Sequence, residues 1–126
     1  MKMIQTDDAP QAIGPYSQGI KVDSGQMVFT AGQLGIDPQS GAFVSDDIAE
    51  QTAQALKNMQ SVLLAAGADL SKVVKTTVFL KNISDFQAMN AVYAQFFSQH
   101  RPARSAVEAA NLPKDALIEI EAIAVF

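Results

Sequence analysis

The chain has 126 residues, 48% hydrophobic and 17% charged, the size of one ordinary domain and rich enough to bury a core. It has no cysteine and one histidine, His100, which excludes disulfides, thiol nucleophiles, iron–sulfur clusters and cysteine- or histidine-rich metal sites. Nine basic against thirteen acidic side chains leave a net charge of −4, an unsuitable field for broad nucleic-acid or anionic-membrane binding.

Residues 1–9 carry Lys2, Asp7 and Asp8 and no apolar stretch of the signal-peptide kind. The least polar run, Met59 to Ala68, is far short of the ~20 apolar residues a spanning helix needs. The expected compartment is the cytosol, with which a cysteine-free composition is compatible. No linker or low-complexity stretch interrupts the chain, so residues 1–126 are expected to form one domain.

Gly14-Pro15-Tyr16 predicts a turn that presents an aromatic hydroxyl. A short strand around Gln18 to Val22 is expected to pair, through Asp23-Ser24-Gly25, with a strand from Gln26 to Ala31. Ala31-Gly32-Gln33-Leu34-Gly35 lacks the spacing of a phosphate-cradling loop, and its glycines point to bends or a close backbone approach. A helix is predicted from about Asp46 to Ala66, with Ile48, Thr52, Ala55, Leu56, Met59, Val62, Leu63 and Ala66 on one stripe. Ser45 or Asp46 can cap it, and Gly67 stands where a left-handed terminating residue belongs. The β-branched run from Val73 to Leu80 predicts a strand.

A second helix opens on the capping-box pattern Ser84-Asp85-Phe86-Gln87 and carries Phe86, Met89, Val92, Tyr93, Phe96 and Phe97 on its apolar stripe. Pro102 forbids its continuation, and His100 falls at its negative dipole end. Strands follow at Arg104 to Ala110 and Ala116 to Val125. The order predicts an α+β sandwich, two helices on one face of a mixed sheet.

Strand alternation adds a constraint. In the last strand Ala116, Ile118, Ile120, Ala122 and Ala124 suit packing beneath helices, while Leu117, Glu119, Glu121, Ile123 and Val125 share the other face. In the middle strand Val74, Thr76, Val78 and Leu80 are expected on one side, with Val73, Lys75, Thr77 and Phe79 on the other. The second face is apolar enough to need cover that two helices cannot provide. Other subunits can provide it, so a homo-oligomer is expected.

Glu119 and Glu121 are two apart, hence on one strand face and roughly 6–7 Å from each other. A carboxylate among Leu117, Ile123 and Val125 would be desolvated, which favours acid–base work; pairing with a Lys or Arg at a subunit contact accounts for it equally. Only two arginines exist, in Arg101-Pro102-Ala103-Arg104-Ser105. Arg104 opens a strand after a rigid turn and could grip a carboxylate with two parallel hydrogen bonds, or form a surface salt bridge. A Ser–His–Asp triad would need His100, which no nucleophile-elbow motif accompanies.

Ile13-Gly14-Pro15-Tyr16, Thr30-Ala31-Gly32-Gln33, Val74-Lys75-Thr76-Thr77-Val78-Phe79-Leu80, Pro102-Ala103-Arg104-Ser105, Leu112-Pro113-Lys114 and Ile118-Glu119-Ile120-Glu121-Ala122, taken in order, resemble the reactive intermediate deaminase family. This is the RidA or YjgF family, with the older label L-PSP endoribonuclease. The resemblance is collinear over essentially the whole chain. It implies a chorismate-mutase-like fold with a mixed six-stranded sheet, two helices on one face, and a homotrimer whose sheets form a central barrel with pockets between subunits. It implies a deaminase that hydrolyses enamine and imine products of pyridoxal-phosphate enzymes, such as 2-aminoacrylate and 2-iminobutanoate, to 2-oxo acids and ammonium. No metal or organic cofactor is implied.

By motif position, Arg104 is similar to the arginine that binds the substrate carboxylate, and Glu119 to the carboxylate that activates water and manages protons. Tyr16 is similar to the pocket tyrosine on a loop, Gly32 and Ala106 to positions that offer backbone groups, and Asn90 to a pocket-lining asparagine. Glu121, by parity, is a structural neighbour. Deaminase members often carry serine at the position of Ala31 and cysteine at that of Ala106. Losing the hydroxyl removes a hydrogen bond worth ~1 kcal/mol, about five-fold in rate if fully expressed in the barrier. Two other functions compete: a non-catalytic sensor of small 2-oxo or amino acids, towards which Ala31 leans, and RNA cleavage, against which the acidic charge and the lack of a basic aromatic stripe weigh.

Overall fold

The structure, a computed structural model, describes residues 1–126. Seven strands and two α-helices follow in the order β1 (Lys2–Ile4), β2 (Gly19–Lys21), β3 (Met27–Phe29), β4 (Gln33–Leu34), α1 (Ile48–Ala65), β5 (Val73–Leu80), α2 (Phe86–Phe96), β6 (Ala103–Glu108) and β7 (Ile118–Val125). The predicted α+β class with two helices and mixed strand pairing is what forms. The sheet has five strands rather than six. β7 lies antiparallel to β5 on one side and to β3 and β4, one after the other, on its second side; β5 continues in parallel to β6.

The expected hairpin across Asp23-Ser24-Gly25 does not form. β2 pairs instead with β1, Met3 opposite Ile20, in a separate two-stranded ribbon that the sequence reading did not include. The chain leaves β2 and turns at Gly25, whose φ of +144° suits glycine. Gln26 and Phe126 then exchange backbone hydrogen bonds, which seats β3 on the C-terminal strand rather than on β2. A single parallel bridge between Ser17 and Ala103 joins the ribbon's end to the free edge of β6.

Both helices cover one face of the sheet. Ala55, Leu56, Met59 and Leu63 of α1 and Met89 and Tyr93 of α2 pack with Phe97 on Val73, Val78, Leu80, Ile118, Ile120, Ala122 and Ala124. At roughly 1.5–3 kcal/mol for each fully buried large apolar side chain, this interface is the main source of stability. The β7 faces are those predicted. Those of β5 hold from Lys75 to Leu80 and fail only at its start, where Val73 rather than Val74 is buried with Thr76, Val78 and Leu80, because the register shifts between Val73 and Lys75.

The helix ends also differ in detail. Asp47, not Ser45 or Asp46, caps α1 by accepting from the Glu50 N–H, while Ser45 accepts from Asp47. Gly67 does take the left-handed conformation, at φ +84°. Val62 and Ala66 face solvent, and Gln51 is buried in their place. The capping box of α2 does not form; a short 3-10 turn at Ile83–Asp85 leads into it instead. His100 lies beyond α2, and its Nε2 hydrogen-bonds the Val73 carbonyl at 2.5 Å, so it ties the following loop to β5 rather than meeting a helix dipole.

The other sheet face carries no helix. Met27 (56% exposed), Phe29 (66%) and Val107 (46%) stand on it beside Lys75, Thr77, Phe79, Glu119, Glu121 and Ile123. No helix is long and apolar enough to cross a membrane.

Candidate active site

Arg104 pairs with Thr76 in the parallel β5–β6 register, and paired residues point to the same face. Thr76 is buried under the helices, so Arg104 rises from the edge strand into the same layer. There α2 presents Phe86, Asn90 and Tyr93, the i, i+4 and i+7 positions of one helix face. Asn90 Oδ1 accepts a hydrogen bond from Arg104 Nη1 at 2.6 Å. The guanidinium carbon lies 4.7 Å from the Tyr93 ring centre, 5.4 Å from Phe86 and 5.3 Å from Tyr16.

Tyr16 arrives on the predicted turn. Its N–H donates to the Gly14 carbonyl at 2.8 Å, and its hydroxyl accepts from the Ile13 N–H at 3.3 Å. Ser17 pins the turn to the sheet, its N–H donating to the Pro102 carbonyl and its hydroxyl to that of Arg101. A Cβ on Gly14 would sit 3.4 Å from the Tyr16 ring and 3.6 Å from Asn90 Nδ2, which shows how closely the turn approaches α2.

Three rings and one amide hold a cation that has no carboxylate within 4 Å. Each ring contributes roughly 0.5–2 kcal/mol while leaving the charge in place, whereas a carboxylate partner would neutralise it. Burial pushes the Arg104 pKa down from its usual value, opposed in part by Tyr93 and Tyr16. Burial also pushes the Tyr93 hydroxyl up to about 12, despite its 2.7 Å hydrogen bond with Thr76 Oγ1. The site therefore offers a half-buried, unneutralised cation backed by a protonated phenol, an arrangement able to receive an anion.

Glu119 is placed differently. It stands on the uncovered face of β7, opposite Phe79 of β5 and Leu34 of β4. Its carboxylate lies along the backbone of Gly32, where an added Cβ would come within 2.7 Å of Glu119 Cδ. This is the close backbone approach that the glycine-containing loop predicted. Ala31 precedes Gly32 and is exposed. Ala106, two residues past Arg104 and opposite Val78, is half-buried on the helix side. Glu121 faces the uncovered side opposite Thr77 and lines a depression of about 250 Å³ with Phe29, Lys75 and Ile123.

Of the sequence-predicted residues, Arg104, Asn90 and Tyr16 converge on one side of the sheet, where Ala106 also stands, and Glu119 meets Gly32 on the other; Ala31 is exposed next to Gly32 in the chain. Sequence reasoning missed Tyr93 and Phe86, read only as core, and Thr76. A signal existed: Asn90, a polar residue, lies on the apolar face four residues after Phe86 and three before Tyr93. Arg101 is exposed and lines, with Tyr16, the largest cavity, about 520 Å³ between the N-terminal ribbon and the Tyr16 turn, which includes neither Arg104 nor Glu119. No three His, Asp or Glu side chains converge as a metal site.

The family model described as "Endoribonuclease L-PSP" matches residues 6–126. The chain is 53% identical over 127 residues to a protein of Salmonella typhimurium named 2-iminobutanoate/2-iminopropanoate deaminase, covering 98% of this chain and 97% of that one. It is 51% identical over 124 residues to a human protein of the same name, covering 98% and 89%. Among solved structures it resembles Escherichia coli TdcF with bound serine, with a TM-score of 0.77, 46% identity, and coverage of 100% and 99%.

Proposed function

We propose that this chain, which belongs to the endoribonuclease L-PSP (RidA/YjgF) family, is a 2-iminobutanoate/2-iminopropanoate deaminase, a hydrolase that converts reactive enamine and imine acids to 2-oxo acids and ammonium. The observation that carries this reading is the unneutralised Arg104, half-buried among three rings and aimed by Asn90. Such a site favours a small planar carboxylate, which a guanidinium grips through two parallel hydrogen bonds and aromatic walls sandwich.

In the proposed reaction Arg104 anchors the substrate carboxylate and Glu119 takes a proton from water as the oxygen attacks the imine carbon. The C=N π electrons pass to nitrogen, which takes that proton from Glu119, giving a neutral carbinolamine. Glu119 then accepts the carbinolamine hydroxyl proton as the C=O bond forms and passes it to the leaving nitrogen as the C–N bond breaks; the released ammonia takes up a proton from solvent to become ammonium. An imine is already electrophilic, so an anchor, one acid–base group and exclusion of water suffice. Tyr16 closes the receptor, while the Gly32, Ala31 and Ala106 backbones border the substrate. No cofactor enters the scheme.

Arg104 and Glu119 occupy different faces of one protomer, so the scheme needs a second copy to bring a Glu119 to an Arg104. We assign that role to a chorismate-mutase-like homotrimer in which the uncovered faces meet in a central barrel and the sites lie between subunits. The apolar residues of that face support it. Residues 1–126 act in this reading as one domain, in the cytosol, on a small-molecule partner, with nucleic acid and membranes uninvolved. The test generates 2-iminobutanoate in situ with a threonine dehydratase and traps the remainder with semicarbazide. Less trapped imine and faster 2-oxobutanoate release support the reading. No effect from the folded protein sinks it, and the site is then a carboxylate sensor.

A further inference from the structure

We infer that Asn58, assisted by Gln51, is a positioning residue that holds Gly32 against the Glu119 carboxylate. Both lie on α1 seven residues apart, hence on nearly the same face of that helix. Asn58 uses both of its amide hydrogens on one neighbouring segment: Nδ2 donates to the Leu34 carbonyl at 3.0 Å and to the Ile36 carbonyl at 2.8 Å. Its own oxygen accepts from Gln54 Nε2 at 2.8 Å, which fixes the amide the right way round. Leu34 is the residue of β4 that pairs with Glu119, and Gly32 lies two residues earlier.

Gln51 acts on the other strand. It is fully enclosed (2% exposed), and its Oε1 accepts from the Leu117 N–H at 3.0 Å while Nε2 donates to the Ser45 carbonyl at 2.8 Å. Leu117 lies two residues before Glu119. Two amides from one helix therefore clamp both strands that meet at the carboxylate, one by its carbonyls and one by its N–H. β4 is only two residues long and cannot hold its register through ladder hydrogen bonds alone, which gives the Asn58 clamp its purpose.

The kinetic part of this assignment rests on the deaminase reading of Glu119; the structural part does not. Asn58→Leu removes both donors, and Asn58→Asp keeps the shape but sets a carboxylate against two carbonyl oxygens. Both are expected to lower kcat about ten-fold while leaving KM within about two-fold, since Arg104 binds substrate from another strand. Protein labelled with 15N-glycine supplies a readout independent of turnover, with the Gly32 amide identified by its loss in Gly32→Ala. In the wild-type background Glu119→Gln is expected to shift that resonance, and in the Asn58→Asp background the same change is expected to have much less effect. Full kcat in Asn58→Asp together with an undiminished response of Gly32 would overturn the assignment. If wild type turns over no imine, the deaminase reading falls, and the Gly32 response alone decides whether Asn58 positions the pair.

Discussion

Arg104 and Glu119 lie on opposite faces of the same sheet, with one strand between theirs. Arg104 is in register with Thr76 and, through it, with Ala122, both of which are buried beneath the helices. Glu119 is three residues from Ala122 on β7, and an odd separation reverses the face. A strand's alternation cannot be undone by a side-chain rotation, so the guanidinium and the carboxylate of one chain cannot meet across the sheet.

Arg104→Ala should abolish saturable turnover, with kcat/KM lower by about 10²–10⁴, the loss expected for two charge-assisted hydrogen bonds. Arg104→Lys should recover little, because an ammonium cannot reproduce the fork or stack between rings. Removing a desolvated cation should leave the melting temperature unchanged or higher. Steady-state kinetics beside thermal denaturation check both halves.

Glu119→Gln should lower kcat about 10²–10⁴-fold, the usual contribution of a positioned acid–base group, with KM little changed. A change mainly in KM would mean that Glu119 binds substrate rather than moving protons.

Two glycines separate a local effect from a global one. In Gly32→Ala the atoms nearest the new methyl are Oε1, Cδ and Cγ of the flexible Glu119 side chain rather than backbone, so folding should survive while the carboxylate is displaced and kcat falls. In Gly35→Ala the methyl would come within 2.6 Å of the Gln51 Cα in helix backbone, so stability should drop by roughly 1–3 kcal/mol. Chemical denaturation of the two variants, compared with their kcat, checks the contrast.

The folded protein keeps the Tyr93 proton to about pH 12, whereas an unfolded chain releases it near the ordinary value of 10. Between these values the unfolded state holds fewer protons, so stability falls as pH rises; below 10 the contribution is fully present. The two-unit difference corresponds to roughly 2–3 kcal/mol. Tyr93→Phe should flatten that slope, at a cost of about 1–2 kcal/mol at neutral pH for leaving Thr76 Oγ1 unpartnered. Denaturation midpoints from pH 8 to 12 test this.

Where a single period and burial on one side decide an element, the sequence revealed it: α1, β5 and β7 form within a few residues of their predicted spans, and the alternation of β7 indicated an uncovered second face. Strand partners were not legible. β2 and β3 are each three residues long, and their partners, β1 and β7, lie far away in the chain or carry too few residues to register as a pattern. The site was legible in parts. Motif order pointed to Arg104, Asn90, Tyr16 and Glu119, and the parity of β7 placed Glu119, but nothing local says which face an edge-strand arginine takes. Tyr93 escaped notice because a buried ring looks alike whether it fills a core or supports a cation.

In the proposed homo-oligomer one working site uses Arg104 from one copy and Glu119 from another. The direct measurement mixes Arg104→Ala and Glu119→Gln proteins, each inactive alone, after subunit exchange confirmed by native mass spectrometry. Random mixing at equal amounts gives each site an intact pair about one time in four, so about a quarter of wild-type activity should return. Confirmed mixed assemblies that stay inactive would rule out a site shared between copies.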